Sequence, residues 1–252
     1  MKYVKRPVMA KIDLGVRKVA PTYGRGAFVL DSHKMGGTAT VESTGEQLLA
    51  QMLSIDPLVS EFKPQPFTVD LIGRRIIRSE EERRKVKKLY AGEPGPVMYT
   101  PDFGARMATG QIVALEGKLG SFEGGLEYEA KLARAADILS KLDIELMRIV
   151  LPHDRQHPIY SNIPLLHQAA KRHDLLPVEG QLANLDQLAE QTSAELKVFM
   201  SQLRLGMNLA PVLIANGVLS APIHEAFIRG NMPVEPAYGD LQHLHVFQEF
   251  RA

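Results

Sequence analysis

The stretch YTPDFGARMATGQIVALEGK, residues 99–118, decides the fold. Two extended runs, VMYTPDFGARMA and QIVALEGKL, lie on either side of the dipeptide Thr109-Gly110. Extended runs separated by two turn-forming residues predict a β-hairpin. Because side chains alternate between the two faces of a strand, Glu116 and Lys118 are expected on the same face.

The same hairpin contains a candidate metal site. Asp102 lies near the far end of the first strand, where it can approach Glu116 across the ladder. Two converging carboxylates make a hard oxygen site for Mg²⁺ or Mn²⁺. A neighbouring Lys118 can stabilise the charge that develops on a phosphorane and help to activate a water. The alternative is a cross-strand surface ion pair worth well under ~1 kcal/mol, and the hairpin alone leaves both interpretations open.

The composition of the chain excludes several classes of protein. The 252 residues suffice for one large domain or two small ones, with 45% hydrophobic and 23% charged residues. There is no cysteine, so disulfides, thiolate catalysis and sulfur ligands for zinc are excluded. The opening MKYVKRPVMAKIDLG lacks an apolar signal region, and the longest apolar run, 209–219, is too short to span a bilayer. We therefore expect a soluble cytoplasmic protein without a membrane partner.

Positive charge is concentrated in the first part of the chain. Residues 1–150 contain 23 Lys and Arg against 19 Asp and Glu, whereas residues 151–252 contain 7 against 10. Clustered cations favour a polyphosphate partner such as DNA. The cluster at 73–88 has eight basic and three acidic residues, and a solvated helix face explains it equally well. The residues predicted to contact DNA are Lys5, Arg6, Lys11, Arg17, Lys18, Lys34, Gln65, Arg74 and Arg75.

The hydrophobic pattern predicts an α/β fold. Glycine-rich residues 1–40 are interpreted as an extended basic arm with one short strand at 27–30. A helix is predicted to begin at Ser43 or Thr44, followed by strands within 59–73, the hairpin, a helix at 126–142 and a strand at 144–152. This order describes a mixed sheet with helices packed on it.

The character of the sequence changes after Pro152. Residues 162–220 are predicted to be mainly helical, and LDQLAEQTSAELKVFMSQLR has the two-helix outline of a helix-turn-helix or winged-helix unit. A plain helical subdomain is the alternative. The predicted regions are the arm (1–40), an α/β domain (41–155) and a helical C-terminal domain (156–252).

A helix glutamate, then a strand, Pro-Asp and Glu-x-Lys form the layout of the PD-(D/E)XK restriction-endonuclease-like superfamily. Within it the chain resembles the TnsA-like endonuclease subunit of heteromeric cut-and-paste transposases, including CRISPR-associated ones. The resemblance runs from residue 26 to 151 through GAFVLDSHK, VESTGEQLLAQMLSIDPLVSEFKPQPFTV, YTPDF and ALEGK. It continues more weakly through YSNIPLL and LIANGVLSAPIHEAF.

The resemblance implies roles for particular residues. The helix glutamate of the family falls on Glu46, its aspartate on Asp102, and its acidic-x-lysine pair on Glu116 and Lys118. Glu46, Asp102 and Glu116 would hold Mg²⁺ or Mn²⁺, and Lys118 would assist the chemistry. Glu42 is the rival for the helix ligand, although it precedes the expected helix.

Gly117 and the paired histidines need a separate interpretation. Gly117 stands where the family has an apolar residue, which predicts a bulge or a close approach of DNA. His243 and His245 alternate as a His-x-His pair, but no third ligand accompanies them at a recognisable spacing. We therefore interpret these histidines as surface or internally hydrogen-bonded residues.

The family implies a nuclease that cuts the non-transferred strand at transposon ends. It also implies two partners: a DDE transposase that cuts the other strand, and an AAA+ ATPase that docks on the C-terminal domain. The acidic balance of residues 151–252 suits a protein partner. The alternatives are a stand-alone restriction or repair nuclease and a non-catalytic DNA-binding scaffold.

Overall fold

The computed structural model describes residues 28–122, 124–177, 182, 185 and 194–252. Most of the predicted arm, with Lys5, Arg6, Lys11, Arg17 and Lys18, lies outside them, as does most of the predicted helix at LDQLAEQ. The strands are β1 (Phe28–Ser32), β2 (Gly37–Val41), β3 (Val59–Pro64), β4 (Thr68–Asp70), β5 (Arg75–Ile77), β6 (Met98–Tyr99), β7 (Phe103–Met107), β8 (Ile112–Leu119), β9 (Ile144–Leu151), β10 (Ala194–Glu195), β11 (Leu219–Ser220) and β12 (Pro233–Pro236). The helices are α1 (Thr44–Ile55), α2 (Glu80–Leu89), α3 (Leu126–Ser140), α4 (Ile159–Ala169), α5 (Leu196–Gln202) and α6 (Ala210–Ala215).

Helix α1 begins and ends where the sequence predicts. The Ser43 hydroxyl caps it by accepting a hydrogen bond from the Glu46 amide. Leu49, Met52 and Leu53 are fully buried along one side. The helix stops at Asp56, which is extended, because the residue before a proline is disfavoured from the α region and Pro57 has no N–H to continue the hydrogen-bond ladder.

The main sheet has the strand order β3-β7-β8-β9. The first two pairings are antiparallel, whereas β8 and β9 run parallel because α3 connects them. Alternate residues of β8 face opposite ways: Val113 and Leu115 join the cluster that contains α1, and Ala114 joins the cluster that contains α3. The sheet is thus covered by a helix on each face, and the expected mixed α/β class is confirmed.

Two parts of the chain differ from the sequence-based prediction. Residues 28–41 are not an extended arm, because β1 and β2 form an antiparallel hairpin that buries Leu30 and Val41 in the same cluster as α1. The basic cluster at 73–88 contains most of helix α2, in line with the helix-face interpretation, but also strand β5, which the sequence does not predict and which belongs to a small second sheet of order β5-β4-β6. This second sheet and α2 form an insertion between β3 and β7.

The C-terminal part packs against the same hydrophobic cluster as α1. Helices α4, α5 and α6 contribute buried apolar residues to it, and a small sheet of order β10-β12-β11 lies beside them. At the end of the chain, Arg251 forms an antiparallel bridge with Ile149, and the amide of Ala252 donates to the Arg148 carbonyl. The last residues therefore cover the outer edge of β9.

None of the helices in the described residues is long and apolar enough to cross a bilayer alone, although α5 and the segment Met207–Ala215 pass the same test together across a 111° bend.

Candidate metal centre

The predicted hairpin is present and brings two of the candidate ligands together. Strands β7 and β8 pair with Phe103 opposite Leu115, so Asp102, the residue just before β7, lies at the position opposite Glu116. Glu116 and Lys118 share a face of β8, as expected, and their charged groups lie 2.9 Å apart. The carboxylates of Asp102 and Glu116 and the ammonium of Lys118 therefore form one electrostatic unit.

Glu116 is held by three donors. It is only 4% exposed. The Tyr99 hydroxyl donates to its Oε2 at 2.8 Å, and the Tyr128 hydroxyl donates to its Oε1 at 3.0 Å. The Lys118 ammonium contacts the same Oε1. Because a buried polar group without partners is costly, these donors satisfy both carboxylate oxygens of Glu116 inside the protein.

Asp102 is fixed by the backbone of its neighbours. The Gly117 amide donates to its Oδ2 at 2.8 Å, and the Gln65 amide donates to its carbonyl oxygen at 2.9 Å. Burial and then the charge of Glu116 raise the pKa of Asp102 to about 7, although Lys118 and the Gly117 amide act in the opposite direction. Like-charge crowding of this kind is what a bound cation relieves.

Lys118 stays charged in this setting. Burial alone lowers its pKa, but the contact with Glu116 and the charges of Asp102 and Glu46 raise it above the usual value. Its ammonium lies 5.5 Å from the ring centroids of both Phe122 and Tyr128. Lys118 is therefore a positioned cation rather than a base.

Glu46 reaches the site electrostatically while its oxygens hold the start of α1. Its Oε1 accepts the Ser43 hydroxyl at 3.0 Å, and its Oε2 accepts the Glu42 amide at 3.0 Å. Together with the Ser43 cap, this is a variant of the capping box in which Glu46 accepts the amide of Glu42 in place of that of the N-cap Ser43. The Glu46 charge nevertheless contributes to the raised pKa values of Asp102 and Lys118. Glu42, the rival ligand, supplies a backbone donor to Glu46.

The donors suit a hard divalent cation, although they do not form a closed ligand set. Within the described ranges, no three His, Asp or Glu side chains are grouped to hold a metal ion. Asp102 and Glu116 supply the carboxylate oxygens that Mg²⁺ and Mn²⁺ prefer, and their mutual repulsion favours a cation. Glu46 can join them only by leaving its capping box, which exchanges two hydrogen bonds for a metal contact.

A cleft of about 360 Å³ opens beside these residues. Glu46 from α1 and Lys118 from β8 line it on two sides, and Phe122 from the loop before α3 lines it further. The cleft gives a phosphate backbone access to Lys118 and Glu46, whereas Asp102 and Glu116 lie next to its lining residue Gly117.

Gly117 is explained by packing within the protein. The register of β8 with β9 continues through it without interruption, so the predicted bulge is wrong. A Cβ atom at this position would lie 3.2 Å from Cδ2 of Leu49. The close approach is therefore that of α1, and the absence of a side chain lets the helix pack on β8.

The described residues among those predicted to contact DNA make other contacts. Lys34 donates to the Asp56 carbonyl, and burial lowers its pKa to about 8. Arg74 pairs with Asp137, and Arg75 pairs with Glu82. Gln65 is 8% exposed, has a positive φ of 44°, and has no hydrogen-bond partner for its Oε1 among the described residues. Their role in binding DNA stays a prediction.

The two tyrosines are the site residues that sequence reasoning missed. Tyr99 stands three residues before Asp102 in the quoted stretch, and its place at a strand end was a usable signal. Tyr128 lies on α3, and nothing in the sequence indicates which way the loop before α3 turns it.

The paired histidines agree with their interpretation as internally bonded residues. A ring nitrogen of His243 lies 2.9 Å from the Ile214 carbonyl oxygen, and His245 Nδ1 lies 2.6 Å from Oδ2 of the fully buried Asp56. The second contact ties the C-terminal segment to the end of α1.

A scan of protein-family models finds no match to this chain, and a search of curated proteins finds no significant relative.

Proposed function

We propose that this chain is a metal-dependent DNA endonuclease with a PD-(D/E)XK restriction-endonuclease-like core. One observation carries the proposal: Asp102 and Glu116 converge on a hairpin beside the protonated Lys118, at the edge of a cleft that Glu46 also lines. Two carboxylates and a cation in a cleft are the parts that metal-assisted phosphodiester hydrolysis needs.

The order of elements around the site supports this fold. Setting aside the insertion between β3 and β7, the core runs α1, β3, β7, β8, α3, β9. That is the helix–strand–strand–strand–helix–strand order of the resemblance, with the candidate ligands at the start of α1, before β7 and on β8. We also propose that the C-terminal part contains a winged-helix unit. Most of the first of its two predicted helices lies outside the described residues.

The residues divide the chemistry among them. Asp102, Glu116 and, once released from its cap, Glu46 would hold Mg²⁺ or Mn²⁺, which supplies a Lewis acid and an acidified water when bound. Lys118 places its positive charge where the scissile phosphate gains negative charge. Tyr99 and Tyr128 keep the Glu116 carboxylate in one orientation. Hydrolysis would leave a 5′-phosphate and a 3′-hydroxyl.

The proposed setting is cut-and-paste transposition. In it the chain cleaves the non-transferred strand at transposon ends, a DDE transposase cleaves the other strand, and an AAA+ ATPase docks on the C-terminal part. The support is the resemblance of the sequence together with the acidic balance of residues 151–252. The alternative is a stand-alone nuclease with the same core. It would need no transposase, whereas the proposed subunit acts together with one.

One observation favours a second candidate, a non-catalytic scaffold. Both oxygens of Glu46 are engaged in the capping box, and both oxygens of Glu116 accept hydrogen bonds. A purely structural role for the carboxylates would account for these contacts without any metal.

The deciding experiment is a cleavage assay in Mg²⁺ or Mn²⁺ on DNA that carries the transposon end, with and without the transposase partner. The wild-type protein should cut, and Asp102→Ala and Glu116→Gln should reduce cutting by at least about 100-fold, since each removes a metal ligand. Glu61→Gln is the matched control, because Glu61 pairs with Arg106 on the same sheet but away from the cleft. Full cutting by both ligand variants in the presence of the transposase would support the scaffold, and full cutting in its absence would show that other residues of this chain cut the DNA.

A further inference from the structure

We propose that Phe122 is a stacking platform for an unpaired nucleobase next to the scissile phosphate. The preferred substrate is then DNA that is locally single-stranded, through a bubble or a frayed end, beside the cut. This inference rests on the proposed nuclease function and names its substrate class.

The position of the Phe122 ring is fixed relative to the carboxylate cluster. The ring packs edge-on against Tyr128, with centroids 5.1 Å apart and planes at 82°. The Tyr128 hydroxyl in turn donates to Glu116 at 3.0 Å. Phe122 is therefore one aromatic contact and one hydrogen bond away from a proposed metal ligand.

Phe122 is also exposed within the cleft rather than beside it. It is 43% exposed and lines the same cleft as Glu46 and Lys118. An exposed aromatic ring in a cleft offers a flat apolar surface. The flat face of an unstacked nucleobase is also apolar and can leave water by packing against such a ring.

Cations beside the ring suit the backbone that accompanies such a base. Lys118 lies 5.5 Å from the Phe122 centroid, and Lys131 lies 5.0 Å from the Tyr128 centroid. A phosphate that contacts Lys118 carries its adjoining nucleotide toward Phe122, because one nucleotide spans a similar distance. Aromatic side chains combined with cations are how proteins bind single strands without reading their sequence.

The ring can accept only a base whose face is free. In a duplex both faces of each base are covered by its neighbours, so stacking on a protein side chain requires a base that has left the stack. A bubble or a frayed end removes that cost in advance. The neighbouring Leu126 provides a contrast, because it is 93% exposed but does not line the cleft.

The test compares binding of two oligonucleotides to the full chain by fluorescence anisotropy, in Ca²⁺ in place of Mg²⁺. One is a fully paired duplex, and the other has the same sequence with a three-nucleotide mismatched bubble. We expect the wild-type protein to bind the bubble about 5- to 100-fold more tightly, the range that one base–aromatic stack provides. Phe122→Ala should abolish that preference, and Phe122→Trp should retain it.

Leu126→Ala is the matched control, since it removes a more exposed apolar side chain four residues away, at the start of α3, and should leave the preference unchanged. If Phe122→Ala retains the full preference, or if the wild-type protein shows none, the stacking role is wrong. Equal loss in Phe122→Ala and Leu126→Ala would also overturn it, because the effect would then not be specific to the aromatic ring. The proposed function fails separately, if the wild-type protein does not cut DNA in the cleavage assay.

Discussion

The backbone amide of Gly117 donates a 2.8 Å hydrogen bond to the carboxylate of Asp102, the residue just before the neighbouring strand β7. The residue between Glu116 and Lys118 thus positions the third member of the cluster with its main chain. Its missing side chain serves a second purpose, because Leu49 of α1 packs directly against it. The glycine links the packing of the helix to the geometry of the candidate ligands.

Gly117→Val should destabilise the protein and disturb the site together. A Cβ atom already comes within 3.2 Å of Leu49 Cδ2, so a branched side chain forces α1 away from β8. We expect a loss of about 1–3 kcal/mol in the free energy of unfolding by urea titration, with a smaller loss for Gly117→Ala. The double variant Gly117→Val/Leu49→Ala should lose less than the sum of the single changes. Strict additivity would show that the two residues do not compete for space.

Asp102→Asn should make the folded protein more stable at alkaline pH. The pKa of Asp102 is about 7 in the folded protein and near 3.8 in the unfolded chain, so folding favours the protonated carboxyl. The stabilisation from this group is complete below pH 3.8 and is lost as the pH rises through 7. An amide keeps an acceptor for Gly117 without the charge. We expect Asn to add roughly 1–3 kcal/mol at pH 8 and much less at pH 4.

The measurement is the free energy of unfolding as a function of pH, without divalent cations. A difference between Asp102→Asn and wild type that does not grow between pH 4 and pH 8 would contradict the crowding of Asp102 by Glu116. Added Mg²⁺ should raise the melting temperature of the wild-type protein more than that of the variant, since the variant lacks a ligand charge.

Tyr128→Phe should weaken metal binding while leaving the fold intact. The change removes the hydroxyl that donates to Glu116 and keeps the ring that Lys118, Lys131 and Arg148 approach. Loss of a hydrogen bond to a ligand is expected to lower Mn²⁺ affinity by about 10-fold or more, measured by titration calorimetry. Tyr90→Phe at the end of α2 is the control. Unchanged affinity in Tyr128→Phe would mean that Tyr99 and Lys118 alone orient Glu116.

His245→Ala should loosen the attachment of the C-terminal segment. It removes the partner of Asp56, which is fully buried at the end of α1 and whose pKa burial raises. Leaving that carboxylate without its imidazole should cost about 3 kcal/mol of unfolding free energy and expose the segment to proteolysis. His224→Ala, at an exposed pair with Glu225, should change little. Equal stability of the two variants would show that the His245–Asp56 contact does not hold the C-terminal segment in place.

The elements with strong periodicity could be predicted from the sequence. Helix α1 carries an unbroken apolar stripe between Ser43 and Asp56, and the hairpin has a turn dipeptide between alternating strands, so both follow from local rules. The strand β2 was missed because GTATV is small and weakly hydrophobic, and only its pairing with β1 makes it a strand.

The candidate site was predictable in its residues but only in part in its geometry. Asp102 and Glu116 are brought together by a local hairpin, which the spacing predicts. Tyr128 reaches Glu116 through the path of the loop before α3, a tertiary relationship with no periodic pattern. The engagement of Glu46 was available from the sequence, since Ser43-x-x-Glu46 is a capping-box pattern.

The two outer strands of the main sheet, β3 and β9, differ in how their edges are protected from pairing with strands of other molecules. An open strand edge is a template for aggregation. Strand β3 has an irregular pairing with β7 between Val59 and Glu61, which distorts the strand, and it ends in Pro64, while Arg251 and Ala252 lie along the edge of β9. Deleting Arg251 and Ala252 should therefore lower solubility at high protein concentration, because it uncovers a strand edge that these two residues otherwise shield.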